Sequence, residues 1–178
     1  MTPPPSDPHE DLYRWLLVVL NIYVEERKLG KVRGSRSGVQ VSATSLREPD
    51  LLFFSTGSLD RMNASGIHGA PDFVVEIVDS NDARRDAVTK QAQYGEVGVP
   101  ELWVIDLPQK DLRHFILHGG TYQQLAVDPT GEVEPQAVPG FRLKVGWLFQ
   151  GPDFPRSLSI VEQLLGREGG SQVERSKG

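Results

Sequence analysis

The 178-residue chain has no cysteine. That excludes a disulfide framework and any thiolate metal site, and it suits a reducing cytoplasmic setting, which is the expected compartment. Long apolar runs are missing as well. The best stretch, Leu16 to Leu20, falls far short of the roughly 20 residues that cross a bilayer and lies inside an amphipathic pattern, so no membrane partner is expected. The N-terminus shows no basic segment leading into an apolar core, and no secretory leader is expected. Positive charge is in deficit: 19 Lys and Arg against 24 Asp and Glu give a net charge of -5. Tight phosphate binding usually leaves a basic footprint, so here it would have to be local. The clusters are Lys28, Lys31, Arg33 and Arg36, then the pair Arg84 and Arg85. Paired histidines at zinc-helix spacing are absent, and His9, His68, His114 and His118 read as structural or exposed.

What is present fits one globular α/β domain: 38% hydrophobic residues and 24% charged ones. Residues 1–6 are Pro-rich and read as a flexible start, 7–165 as the folded domain, and the Gly, Ser and charge from 166 to 178 as a disordered tail. Asp7 as N-cap, Pro8 at the first helical position and Glu10 three residues after the cap predict a helix ending near Gly30. Leu12, Trp15, Leu16, Val19, Leu20, Tyr23 and Val24 form its apolar stripe, which packs on a sheet.

Strands are expected at Val39 to Leu46, Asp50 to Phe54, Phe73 to Val78, Glu101 to Asp106, Leu112 to Leu117 and Tyr122 to Val127. A last strand and a short closing element are expected within 139–149. Ser55 to Ala70 is a long connector rich in Gly, Ser and Asn, and a helix runs from Ala83 to Val97. Strand, helix and strand with short joints between Phe73 and Asp106 predict a right-handed crossover and a parallel pair. The class is α/β with a mixed sheet flanked by helices.

Two acidic motifs interrupt these buried runs. Pro49-Asp50 opens one strand, and Pro71-Asp72 opens another that carries Glu76 at its middle. An ionised carboxylate in such a place costs several kcal/mol without compensation, so Glu76 requires a partner. Residues two apart share a strand face, which puts Asp72, Val74, Glu76 and Val78 on one side and Phe73, Val75 and Ile77 on the core side. If Asp50 starts the neighbouring strand, it and Glu76 face each other across roughly 5 Å. Two carboxylates at that spacing suit Mg²⁺, which keeps several waters and takes one or two protein carboxylates. Such an ion would polarise a phosphoryl oxygen and lower the pKa of an attacking water. A nearby lysine would position that water or offset charge developing on the phosphate.

The order acid, acid, lysine resembles the PD-(D/E)XK nuclease superfamily and, more narrowly, the Uma-two family of bacterial restriction-endonuclease-like proteins. The stretches that carry the likeness are Glu48-Pro49-Asp50-Leu51 and Gly69 to Val78, then Arg85-Asp86, Lys90, Tyr94 and Gly98 to Asp106. A weaker match follows at Pro139-Gly140-Phe141 and Leu148-Phe149, so the resemblance runs from about Gly30 to Phe149. It implies a restriction-endonuclease-like core and a metal-dependent endonuclease acting on nucleic acid, DNA first; a homodimer is expected as well. It also implies Mg²⁺ or Mn²⁺ held by Asp50 and Glu76. The superfamily lysine stands two residues after the second acid, where this chain has Val78; the resemblance implies a lysine moved to the following helix, and Lys90 fills that place. Val78-Asp79-Ser80-Asn81-Asp82 departs from the family's usual Leu-Ser-Pro-Ser-like turn, while Ser80 and Asn81 keep the ability to cap the helix.

Plainer roles compete at each position. Asp50 can accept backbone N–H bonds at a strand start, and Asp72 after Pro71 reads as turn chemistry. Arg84 or Arg85 is the structural alternative as the partner of Glu76. Lys90, taken singly, reads as a surface partner of Asp86 one turn earlier. Gln93 and Tyr94 read as surface and packing, and Glu25 and Glu26 as a solvated helix face. The rival function is a non-catalytic nucleic-acid-binding or oligomerising module that keeps the nuclease fold. A third reading, a homodimer subunit with a purely structural role, rests on the need to protect sheet edges.

Overall fold

Helix α1 (Asp7–Arg27) starts one residue earlier in the chain than its capping signals indicate. Ser6 is the N-cap, without a side-chain hydrogen bond, and Asp7 is already helical. The computed structural model describes residues 6–166 apart from 35, 64, 65 and 129; the expected flexible start (except Ser6) and the expected tail (except Gly166) lie outside the described residues. The strands are β1 (Gly30–Arg33), β2 (Val39–Ser42), β3 (Ser45–Arg47), β4 (Leu51–Ser55), β5 (Met62–Asn63), β6 (Gly66–Ile67) and β7 (Phe73–Val78). Helix α2 (Asn81–Glu96) follows, then β8 (Glu101–Asp106), β9 (Asp111–His118), β10 (Thr121–Leu125), β11 (Glu132–Val133), β12 (Leu143–Lys144) and α3 (Ser157–Leu164).

One mixed sheet of six strands, in the order β1-β4-β7-β8-β9-β10, organises the chain. Strands β7 and β8 are parallel, as the helical crossover through α2 requires, and the other neighbouring pairs are antiparallel. Three small two-stranded ladders, β2–β3, β5–β6 and β11–β12, decorate it. Ser80 caps α2 by accepting from the Ala83 amide at 3.2 Å, the cap the turn's composition allows.

Both faces of the sheet are covered. The predicted stripe of α1 packs with Leu51, Phe53, Phe73, Val75, Ile77, Trp103 and Ile105 in one core. The side of the sheet opposite Phe73, Val75 and Ile77 is buried as well: Leu52, Phe54, Val74, Val78, Leu102 and Val104 form a second core with Ala87 and Tyr94 of α2 and with Val39 and Val41. Strands covered on both sides read as continuous apolar runs, as β4, β7 and β8 do. Glu76 therefore sits in a second interior and not on a half-wet surface; it is 4% exposed.

Other differences have local causes. The strand expected over Val39 to Leu46 is a hairpin that folds back between Ser42 and Ser45, where the Thr44 amide donates to Ser42 Oγ at 3.3 Å. The connector 55–70 holds a 3-10 turn at Thr56–Arg61 and the β5–β6 ladder. Helix α1 ends at Arg27 with Lys28 as a left-handed C-cap, so Gly30, the expected stop, begins β1 instead; α3 packs beside α1, and neither β1 nor α3 is foreshadowed by a clear period. Within 139–149 the strand is reduced to Leu143–Lys144, followed by a 3-10 turn at Val145–Phe149. Among the described residues, no helix is long and apolar enough to cross a membrane.

Candidate active site

Register brings the two acids together. Leu51 pairs with Val75 in the antiparallel β4–β7 ladder, so Asp50, just before β4, is the next position along and lies opposite Glu76, about 5 Å away across the ladder. Asp50 Oδ2 accepts the Ile77 amide at 2.7 Å, which fixes the carboxylate at the end of the ladder. By strand alternation Asp50 and Glu76 share the sheet face of Leu52 and Val74, the face that α2 covers.

Helix α2 delivers Lys90 and Tyr94 to this point, one turn apart on its inner side. Lys90 Nζ donates to Glu76 Oε2 at 2.8 Å, and the Tyr94 hydroxyl donates to Glu76 Oε1 at 2.6 Å. Lys90 also lies 3.5 Å from Asp86 Oδ2, so the expected i,i+4 pair and the contact with the strand acid exist together. Arg84 and Arg85 are not the partners of Glu76. Arg84 grips Asp106 through two bonds of 2.5 and 2.8 Å, and Arg85 pairs with Asp82. Their places at the start of α2 leave them short of mid-strand, whereas Lys90 is far enough along the helix to reach it.

One participant was not expected. His9, assigned above to a structural or exposed role, places Nε2 3.1 Å from Asp50 Oδ1. Its Nδ1 is buried without a hydrogen-bond partner among the described residues. The signal in the sequence was weak, a single histidine in the first turn of a helix. Ser6 reinforces this docking, its amide donating to Asp79 Oδ2 at 3.0 Å. Tyr94, assigned to packing, packs fully and also holds the acid. Glu25 and Glu26 lie on the exposed face near the far end of α1. Asp72 stays at the opposite end of β7, accepting from the Ser55 amide, Ser58 Oγ and Arg61. Gln93 accepts from Arg47 at 2.6 Å and ties the β2–β3 hairpin to α2.

The electrostatics follow from burial and proximity. Burial raises the Glu76 carboxyl; Lys90 opposes this, Asp50 adds to it, and the result is about 7. Burial pulls Lys90 down, but the negative field of Glu76, with Asp86 and Asp50 behind it, leaves its ammonium held above the ordinary lysine range. Burial likewise pulls His9 down, and Asp50, Asp79 and Glu10 outweigh it, so the imidazolium is favoured. Burial first and the Glu76 charge second push the Tyr94 phenol upward, keeping it a donor. The site is thus two carboxylates, two cationic groups and one neutral hydroxyl, gathered from α1, β4, β7 and α2.

A protein-family profile, Uma2, described as "Putative restriction endonuclease", matches residues 1–146. Among solved structures, a "putative nuclease belonging to DUF820" from Anabaena variabilis ATCC 29413 superposes with a TM-score of 0.69 at 17% identity, covering 84% of each chain. At that identity the likeness concerns the fold. No curated protein matches the chain. With the family profile spanning most of the sequence and the acid, acid, lysine order assembled at one place, the chain belongs to the Uma2 family of restriction-endonuclease-like proteins.

Proposed function

We propose that this chain is a metal-dependent endonuclease that hydrolyses phosphodiester bonds of nucleic acid, with DNA as the first substrate to try. The observation that carries the reading is Asp50 beside Glu76 with Lys90 2.8 Å from the second acid. The donor set suits a hard cation: oxygen ligands and no thiolate, in the number of carboxylates that Mg²⁺ ordinarily takes. Among the described residues no group of three potential metal ligands forms, so the ion would rest on Asp50 and Glu76 and keep several waters. Glu76 supports the same reading, since Lys90 and Tyr94 together leave its burial and the Asp50 charge incompletely offset.

Bound there, Mg²⁺ or Mn²⁺ would act as a Lewis acid on the phosphoryl oxygen and make water more acidic. The chain's own groups do the rest. Ile77 N–H and His9 fix the two oxygens of Asp50. Tyr94 orients Glu76. The Lys90 ammonium supplies a fixed positive charge toward a phosphate gaining negative charge, a type of stabilisation often worth several kcal/mol in a dry site. A homodimer in a cytoplasmic setting belongs to the same reading, with light scattering as its check.

One observation favours the rival, a non-catalytic binding module. Every oxygen of both acids already has a protein partner: His9 and Ile77 on Asp50, Lys90 and Tyr94 on Glu76. A closed network of this kind is stable without an ion. Cleavage of plasmid DNA with and without Mg²⁺ and Mn²⁺, by wild type, Asp50→Ala and Glu76→Ala, separates the two. Metal-dependent cutting lost in both variants supports the nuclease, whereas DNA binding with no cutting by wild type supports the rival.

A further inference from the structure

The basic cluster noted in the sequence is not used by the candidate site, and the fold gives it a place. Arg33 ends β1 opposite Leu52, so Asp50 is its diagonal neighbour, about 7–8 Å away. Val32 belongs to the α1-side core, which turns Arg33 to the other face of the sheet, the face of Asp50 and Glu76. Arg33 and Arg36 line a cavity of about 370 Å³ between the β2–β3 and β5–β6 hairpins, with Leu46, Met62 and Ile67 as its apolar wall.

Among the described residues, both are free of the acids that hold most of the chain's other arginines. Acids outnumber bases, and Arg14, Arg61, Arg84, Arg85, Arg113 and Arg142 each face a carboxylate. Arg33 and Arg36 are exposed and make no ion pair among the described residues. Gly34, next to Arg33, packs closely against α1. A Cβ at Gly34 would lie 2.2 Å from the Tyr13 hydroxyl, so glycine lets the end of β1 press against α1. Arg36 itself takes a left-handed conformation, φ 74°, which turns the chain at the mouth of the cavity.

We infer that Arg33 and Arg36 form a phosphate-binding subsite that seats the backbone of a polynucleotide one strand away from Asp50 and leads it to the two acids. The inference rests on the nuclease reading above and names where its substrate lies. Guanidinium groups suit the task because their fixed fork matches two phosphate oxygens at once. An acidic protein needs such a local contact to hold a polyanion next to two carboxylates.

The test is fluorescence anisotropy with a labelled 20-nucleotide DNA, as single strand and as duplex, and an RNA strand of the same sequence, in Ca²⁺ across a salt series. Each phosphate neutralised adds about 0.7 to 0.9 to the slope of log K against log salt. The double variant Arg33→Ala/Arg36→Ala is expected to lower that slope by about this amount per arginine, and Arg33→Lys/Arg36→Lys to restore most of it. Arg156→Ala, at an exposed arginine before α3, is expected to keep the wild-type slope. An unchanged slope in the double alanine variant overturns the subsite, and so does failure of wild type to bind any of the three probes. The shift in melting temperature with Mg²⁺, measured on the same proteins, reports on Asp50 and Glu76 separately. Its loss in wild type would sink the metal site whatever the slopes show.

Discussion

The Lys90 ammonium lies 2.8 Å from Glu76 Oε2 and 3.5 Å from Asp86 Oδ2, so one cation joins a buried strand acid to an exposed helix acid. Lys90→Met keeps the aliphatic stem and removes the charge. Turnover is expected to vanish, while a metal-dependent rise in melting temperature persists at pH 8. Stability should fall by about 1–2 kcal/mol, less than for a wholly buried pair, because Lys90 is partly exposed and Glu76 can take up a proton. Retained cleavage in a melt-competent Lys90→Met would remove Lys90 from the mechanism.

Glu76 gives a pH dependence with a definite sign. Its carboxyl stands at about 7 in the fold against an ordinary 4.5, so the folded state binds more protons between those values. The contribution of a raised group is fully present below the unfolded value and is lost as pH rises through the folded one. In EDTA, wild type should therefore lose stability relative to Glu76→Gln from pH 4.5 to 8, by up to about 3 kcal/mol. The His9–Asp50 pair is present in both proteins, so the difference reports chiefly on Glu76. Denaturant melts across that range check it; a difference that stays flat contradicts the raised carboxyl.

Tyr94 connects packing to the same proton. Its hydroxyl donates to Glu76 Oε1 at 2.6 Å, and the side chain is buried between α2 and the sheet. Tyr94→Phe leaves that oxygen without its donor, at a cost of about 1–3 kcal/mol. It also removes a bond that favours the ionised acid, so Glu76 should titrate higher still and metal should bind more weakly at pH 7 than at pH 8. The ratio of metal affinities at those two pH values, compared with wild type, is the readout.

Arg84 and Asp106 serve the scaffold. The guanidinium holds the Asp106 carboxyl below its usual range and clips the start of α2 to the end of β8. Arg84→Ala leaves a nearly buried carboxylate with the Gln109 amide as its remaining donor, at 3.1 Å. A lower melting temperature is expected, without change at the candidate site, because a nearly buried carboxylate loses its charged partner. Because Asp106 is depressed, the contribution is present above the ordinary aspartate value and fades as pH falls through the folded one.

How much of this was legible in the sequence depends on the range of the interactions. Strands β4, β7 and β8 were readable because dense β-branched and aromatic runs report burial directly, and Glu76 stood out as an acid among them. The continuous apolar runs of β4, β7 and β8 signal two covered faces, but they do not say which residues of α2 and of the β2–β3 hairpin complete the second core. Lys90 looked like a surface residue because its local pattern, Asp86 four positions before, is complete in itself. Only the family resemblance pointed past it. His9 was missed since its partner, Asp50, comes from a strand far along the chain, and a histidine in a first helical turn carries no spacing signal.

The most direct measurement is a thermal melt of wild type and Glu76→Ala titrated with Mg²⁺ and Mn²⁺. A ligand that binds only the folded state adds RT ln(1 + [L]/Kd), about 2.7 kcal/mol at a hundredfold excess over Kd. A metal-dependent rise in wild type that disappears in Glu76→Ala is the expected result. A rise of equal size in both proteins would contradict the assignment of the metal to Asp50 and Glu76.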